Sequence, residues 1–175
     1  DSLGVLLSKA AETVRKSEIG KRTREFIRND QLQPSDKFKP IKCFDVNMNK
    51  FDWNSVKGKK FTIIVGGLWC MTHGMGNSLP KQYFESIKEN YGDSHQLILY
   101  VYCNDSEEMK AEIKEFGLED YTVISDFKGR ATPFTSIYNC QATPTCIYID
   151  AKGIIVNIMK GLDPNYLENE FILKQ

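Results

Sequence analysis

The chain has 175 residues, a length typical of one domain built around a single hydrophobic core. Lysine and arginine together number 23, as do aspartate and glutamate, and neither sign forms a long run. The overall charge therefore gives no indication of binding to nucleic acid or of attraction to a membrane. The longest apolar stretch, around residues 61–65, is far shorter than the ~20 residues that a bilayer span requires.

The cysteines do not form a pattern that would stabilise a small domain. They are too few and too scattered for a disulfide framework, and their odd number leaves at least one thiol free in a monomer. No pair has the spacing of a zinc finger, and no metal or cofactor is expected. The five are Cys43, Cys70, Cys103, Cys140 and Cys146.

Residues 1–30 predict an amphipathic helix, bent at Gly20, because apolar residues recur at helical intervals among Lys, Arg and Glu. This helix either packs on its own domain or leads from an upstream region, or it binds a dedicated partner. The start at Asp1, without an initiator methionine or signal peptide, indicates a processed product or an excised part of a longer chain. Polar residues and two prolines over 31–43 predict a linker, and residues 44–175 are expected to form the main domain.

The main domain alternates strand and helix patterns. A β-branched run over residues 61–65 predicts a strand that ends at a Gly-Gly pair, and residues 79–91 have helical spacing. Residues 96–102 have the continuous apolar character of a buried strand in a parallel sheet. Ser106, followed by glutamates, predicts the N-cap of a helix that ends at Phe116-Gly117.

The last third of the chain predicts two further strands and a helix. Residues 145–150 and 153–159 have strand character on either side of a short turn, which is typical of a hairpin. A terminal helix is expected from about Pro164. A parallel β-α-β unit followed by a hairpin and a helix is the order of the thioredoxin fold. We therefore predict an α/β domain with a central mixed sheet flanked by helices.

Four segments, which follow one another in a fixed order, indicate a resemblance to a known family. A turn at residues 56–60 precedes the first central strand, Trp69-Cys70 begins a loop, Ala-Thr-Pro-Thr spans 142–145, and a hairpin covers 149–153. With these segments, residues 44–161 resemble the thioredoxin superfamily. The resemblance is to its extracytoplasmic bacterial branch of thiol-disulfide oxidoreductases, of the cytochrome-maturation and thiol-disulfide interchange type.

The resemblance implies that Cys70 is the nucleophile. A cysteine between a strand end and a helix start meets unpaired backbone amides and a helix dipole, which favour the thiolate that attacks disulfides. The family's second cysteine, which resolves the mixed disulfide, is replaced here by His73 in a variant Cys-x-x-His loop. Release of the product then requires an external thiol. His73 either stabilises the Cys70 thiolate or takes its proton, or it is a solvated residue without a chemical role.

The resemblance also implies a substrate groove beside this loop. In the family the peptide bond before the proline is cis, and the proline faces the redox loop. The residue before the proline offers backbone groups to an extended peptide, a form of strand addition. Thr143 and Pro144, with Trp69 at the start of the loop, are therefore the expected substrate-binding residues. The alternative is an ordinary trans turn before an edge strand.

The remaining cysteines give weaker signals. Cys140 and Cys146 take places usually held by apolar residues and are predicted to fill the core. Cys103 ends a strand at the sheet edge where the redox loop is expected. It is either a structural thiol or the thiol that resolves the mixed disulfide. Cys43 and His95 receive no role.

The sequence thus predicts a thiol-disulfide oxidoreductase or isomerase with one active cysteine, acting on a polypeptide or on a small-molecule thiol or disulfide. The rival hypothesis is a redox-inactive thioredoxin-like module that binds a polypeptide or an upstream domain through the same groove. A metal site of Cys70, His73 and Cys103 is a weaker alternative, because the spacing supplies no ligand arrangement. A peroxidase is weaker still. The resemblance alone implies an extracytoplasmic, periplasmic location.

Overall fold

The computed structural model describes residues 2–28, 30–66 and 92–163, together with Glu85, Lys88 and Glu89. Its centre is one five-stranded mixed sheet. The strands are β1 (Lys60–Val65), β2 (His95–Tyr100), β3 (Thr122–Ile124), β4 (Thr145–Ile149) and β5 (Ile155–Lys160). Their order is β3-β2-β1-β4-β5. The first three run parallel, and β4 runs antiparallel to both β1 and β5.

The structure confirms most of the predicted strands. The runs over residues 61–65 and 96–102 form β1 and β2, and the hairpin forms β4 and β5 around a turn at Gly153, whose φ of +79° favours glycine. Strand β3 was not predicted, because three residues are too few to show a period in the sequence. The result is the predicted mixed sheet with an additional edge strand.

Five helices accompany the sheet in the described residues, with three short 3₁₀ turns at Trp53–Val56, Gly92–Ser94 and Gly129–Ala131. None of them is long and apolar enough to cross a membrane. The helix predicted at 79–91 lies largely outside the described residues, and so does the one predicted from Pro164. The five are α1 (Ser2–Lys9), α2 (Glu12–Lys16), α3 (Glu18–Arg28), α4 (Ser106–Phe116) and α5 (Pro133–Ile137).

Helix α4 shows how one residue decides a boundary. The predicted cap, Ser106, is the first helical residue, and Asp105 is the N-cap: its side chain accepts a hydrogen bond from the Glu108 amide at 2.9 Å. A carboxylate also interacts favourably with the positive helix end, which explains why the aspartate takes the position. The predicted end is confirmed, because Gly117 adopts φ +63° and terminates the helix.

The sheet buries apolar side chains on both faces. One face packs β2, β4 and α4 together, and includes Leu99, Met109 and Cys146. The opposite face packs β1, β2 and β4 against α5, and includes Ile63 and Tyr138. Strand β1 lies at the centre with no exposed residue, as expected of a strand paired on both sides.

The N-terminal segment is three helices, which corrects the single helix bent at Gly20. The break before α3 lies at Ser17, whose hydroxyl donates to Val14 O at 2.6 Å and accepts from the Gly20 amide at 3.2 Å. This serine therefore ends α2 and starts α3. Gly20 lies inside α3, where an added Cβ would be 2.2 Å from Val14 O. The glycine thus allows close approach of the two helices and does not bend one.

The segment interpreted as a linker runs along strand β5. The amides of Ser35 and Phe38 donate to Ile155 O and Gly153 O at 2.8 and 2.9 Å. Its apolar side chains, Leu32 and Ile41, are 6% exposed. These contacts make residues 31–43 part of the sheet's packing, because the prolines interrupt regular structure without preventing burial.

Candidate functional site

The end of strand β1 lies against the Thr143–Pro144 turn. Val65 pairs with Thr145 of β4 on one side and with Tyr100 of β2 on the other. At Gly66, an added Cβ would lie 3.4 Å from Thr143 Cβ and 3.5 Å from Pro144 Cα. Because the chain continues from Gly66 towards Trp69 and Cys70, the last described residue before the predicted redox loop contacts the predicted substrate turn.

The Thr143–Pro144 peptide bond is cis, as the resemblance implied. The turn is held on both sides: Thr145 Oγ1 donates to Ala142 O at 2.7 Å, and the Gly161 amide donates to Pro144 O at 2.8 Å. These bonds fix the turn to β4 and to the end of β5.

Thr143 differs from its neighbours in its hydrogen bonding. Among the bonds formed by the described residues, none engages the backbone N–H or C=O of Thr143. Thr143 and Pro144 are both partly exposed. Water or an extended peptide can therefore reach the backbone donor and acceptor that the residue presents.

The other predicted site residues, Trp69, Cys70 and His73, lie outside the described residues. Strand β1 and the turn are therefore the part of the candidate site whose geometry is known. Among the described residues, no group of three or more His, Cys, Asp and Glu side chains is arranged to hold a metal ion.

The remaining four cysteines are buried thiols. The prediction that Cys140 and Cys146 fill the core is confirmed, since they are 2% and 0% exposed. Burial raises the pKa of Cys146 to about 12 and that of Cys103 to about 11, the latter with three nearby carboxylates adding to the effect. A raised pKa keeps sulfur in the unreactive thiol form, so nothing in this environment supports a resolving role for Cys103.

Cys43 lies near a buried carboxylate that the sequence did not reveal. Tyr100 Oη donates to Asp126 Oδ1 at 2.5 Å, while Asp126 Oδ2 is buried and has no hydrogen-bond partner in the described part of the chain. Burial, and then the charge of Asp126, raises the pKa of Cys43 to about 12. Burial and the charge of Asp126 also raise the pKa of Tyr100. No sequence spacing relates these residues, because they meet only through strand pairing.

A second polar cluster contacts Cys140, upstream of the turn in sequence, and was also missed. Tyr102 Oη donates to Cys140 O at 3.3 Å, four residues before Pro144. The Arg130 guanidinium lies 5.5 Å from the centre of the Tyr102 ring. Burial raises the pKa of this tyrosine, and Arg130 and Arg22 oppose the shift. Arginine charges therefore border the segment that leads into the turn.

The chain resembles known proteins in its fold but not in its sequence. No protein-family profile and no curated protein sequence matches the chain. Solved structures do match. A thiol-disulfide oxidoreductase from Bacteroides fragilis has a TM-score of 0.63 at 16% identity, covering 81% of this chain and 100% of its own. A thiol-disulfide isomerase from Corynebacterium glutamicum has a TM-score of 0.63 at 20% identity, covering 81% and 98%.

A third solved structure extends the same comparison. The pneumococcal exposed lipoprotein thioredoxin from Streptococcus pneumoniae has a TM-score of 0.60 at 20% identity, and the match covers 75% of this chain and 96% of its own. The likeness extends over nearly the whole length of each of these proteins. The chain therefore has the thioredoxin-like fold, as the order of its predicted elements implied.

Proposed function

We propose that the chain is a thiol-disulfide oxidoreductase or isomerase that works through a single active cysteine, Cys70. One observation carries the proposal: the Thr143–Pro144 turn is partly exposed and lies against the end of the strand that leads towards Cys70. The solved structures of like fold that are thiol-disulfide oxidoreductases and isomerases support the same class of chemistry.

In the proposed reaction, the Cys70 thiolate attacks one sulfur of a substrate disulfide. A mixed disulfide forms, and the other substrate sulfur leaves as a thiolate that takes a proton from water. An external thiol, as its thiolate, then attacks the mixed disulfide. This attack forms a new disulfide and releases the Cys70 thiolate, so the external thiol is the only other reactant.

The source of the external thiol decides the outcome. If a second thiol of the same polypeptide attacks, the substrate leaves with rearranged disulfides, which is isomerisation. If the substrate disulfide joins a polypeptide sulfur to a small thiol, Cys70 bonds to the small thiol's sulfur and the polypeptide sulfur leaves as a thiolate. A second small thiol then attacks that small-thiol sulfur, which forms the symmetrical small-molecule disulfide and releases Cys70. Both reactions need one active cysteine, whereas net reduction by the protein alone would need two.

In this proposal the turn holds the substrate and the loop performs the chemistry. The unengaged N–H and C=O of Thr143 pair with an extended peptide, while Pro144 and Trp69 form the walls of the groove. His73, as an imidazolium, stabilises the Cys70 thiolate. An extracytoplasmic location belongs to the same proposal and is supported by the likeness to an exposed lipoprotein thioredoxin.

The test is the alkylation rate of the native protein as a function of pH. Because the other four cysteines are buried, we expect a small alkylating reagent to modify one thiol under native conditions. That thiol should be lost in Cys70→Ser and retained in Cys103→Ser. We expect an apparent pKa well below the ~8.5 of a free cysteine. A value at or above that number would refute the proposed thiolate.

A peptide-binding measurement separates this proposal from a redox-inactive module. Cys70→Ser should lose disulfide exchange with a model peptide disulfide. It should still bind the reduced peptide with about the wild-type affinity, because binding depends on Thr143 and its neighbours. If wild-type protein binds the peptide but shows no exchange, the redox-inactive module is correct and the catalytic proposal is wrong.

A further inference from the structure

Among the described residues, most of the exposed large apolar side chains lie in the three N-terminal helices. Seven such side chains are exposed among the described residues, and five of them lie in α1–α3. Apart from Gly20, no residue of these helices is buried. The five are Leu3 (41% exposed), Val5 (52%), Leu6 (66%), Val14 (50%) and Ile19 (73%). These aliphatic groups lie in water although the helices already pack against each other and α3 packs on α5.

The same helices carry a strong positive charge. Residues 2–28 contain seven lysines and arginines and three glutamates, a net charge of +4. The whole chain is balanced at 23 charges of each sign, so the rest of the chain carries a net charge of −4. The neutral total therefore combines a basic helical cap with an acidic body, and the absence of attraction to membranes inferred from the total does not hold for the cap.

A cavity within the cap combines both properties. Its volume is about 550 Å³, and Leu7 and Ile27 line it together with four cationic side chains. Two of these are engaged: Lys16 pairs with Glu12 at 2.6 Å, and Arg24 donates to Arg15 O at 2.6 Å. Among the contacts of the described residues, none engages the guanidinium groups of Arg15 and Arg28. The lining thus combines apolar side chains with the cationic side chains of Arg15 and Arg28, while its one carboxylate, Glu12, is paired with Lys16.

We propose that α1–α3 is a docking surface for an anionic lipid bilayer. The positive charge favours a negative partner and disfavours a second copy of the chain, whose cap carries the same charge. A bilayer accepts separate aliphatic side chains without a matching shape, whereas a protein partner needs a continuous complementary surface. The aliphatic side chains enter the acyl region, and the arginines and lysines bind lipid phosphates.

The experiment is sedimentation of the full chain with vesicles. We expect binding to vesicles of equimolar phosphatidylcholine and phosphatidylglycerol, weak binding to phosphatidylcholine alone, and release from the anionic vesicles at high salt. Arg15→Gln with Arg28→Gln should weaken binding about fivefold for each charge removed. Leu6→Ser with Ile19→Ser should weaken it on the order of tenfold. The circular dichroism of both variants should match wild type, because all four side chains are solvent-accessible.

Matched controls lie outside the cap. Lys57→Gln with Lys59→Gln removes the same charge from an exposed turn, and Val156→Ser removes an aliphatic side chain that is 41% exposed on β5. Neither should change vesicle binding by more than about twofold. Equal binding to neutral and anionic vesicles, no binding to either, or an equal loss in the controls would each overturn the proposal. Self-association that is abolished by Leu6→Ser with Ile19→Ser, without vesicle binding, would identify a second copy as the occupant instead.

Discussion

The central sheet and the N-terminal helical cap use similar aliphatic residues with opposite results. In β1, Ile63, Ile64 and Val65 are 0% exposed, because strands pair on both sides and helices cover both faces. In the cap, Leu6 and Ile19 are 66% and 73% exposed. Burial therefore depends on what each element packs against and not on hydrophobicity alone. We infer that the sheet supplies the stability of the fold, while the cap is free to present its apolar residues to a partner.

The strongest test of this comparison substitutes one isoleucine in each region. Ile63→Ala should lower the free energy of unfolding by about 4 kcal/mol, since it removes buried methyl groups and leaves a cavity in the cluster that packs against α5. Ile19→Ala should change it by less than about 0.5 kcal/mol, because the side chain is exposed. Urea unfolding followed by circular dichroism measures both. Equal losses would show that the cap is as integral to the fold as the sheet.

Acid should weaken the fold through a histidine buried in the sheet. His95, at the start of β2, is 3% exposed and lies 3.1 Å from Thr62 Oγ1, and burial together with Lys60 lowers its pKa to about 4. Between about pH 6.5 and pH 4 the unfolded chain therefore binds a proton that the folded chain does not, so stability falls as the pH falls. The loss should be on the order of 2 to 3 kcal/mol at pH 4.

The control for this pH dependence is His95→Gln, which keeps a polar group near Thr62 but does not titrate. The unfolding free energy of the wild type minus that of the variant should fall towards pH 4, because only the wild type has His95 to protonate. The carboxylates titrate alike in both proteins and cancel in this difference. If the two curves stay parallel from pH 7 to pH 4, His95 is not the group responsible.

Those parts of the fold with a clear hydrophobic period could be predicted from the sequence. Strands β1, β2, β4 and β5 and the end of α4 at Gly117 followed from apolar runs and a glycine. The short strand β3 did not, since three residues show no period. The prediction of one helix bent at Gly20 was wrong for two reasons. Gly20 is required by the close contact of two helices, and the chain instead breaks at Ser17, which ends one helix and starts the next. Side-chain capping of this kind depends on geometry that spacing does not encode.

The candidate site was predictable only where a local motif marks it. Thr143-Pro144 could be identified from Ala-Thr-Pro-Thr before a strand, and its cis bond followed from the resemblance. The Tyr100 and Asp126 pair could not, because the two residues are 26 positions apart and meet through neighbouring parallel strands. Interactions that depend on strand register remain hidden until the pairing is known.

That buried pair gives a further test inside the sheet. Tyr100→Phe should lower the free energy of unfolding by about 2 kcal/mol, because it removes the hydrogen bond to a buried carboxylate. Tyr138→Phe removes a hydroxyl that donates to Lys39 O at 2.6 Å and accepts from the Lys39 amide at 2.9 Å, but Lys39 is exposed and water can replace both bonds. Its cost should be about 1 kcal/mol or less. The reverse order would mean that Asp126 is hydrated in the native state.

The smallest effect on global stability is expected at Gly20, where the cap itself is altered. Gly20→Ala would place a Cβ 2.2 Å from Val14 O and 2.6 Å from Arg15 O, which are backbone atoms that cannot rotate away. Helix α3 must then move from α2, so hydrogen exchange of the cap amides should accelerate. The free energy of unfolding in urea should change by less than about 0.5 kcal/mol, because no cap side chain contributes to the core.

Thr23→Ala, in the same helix, adds no atom and should leave both measurements close to wild type. A global loss as large as that of Ile63→Ala would show that the cap and the sheet unfold as one unit.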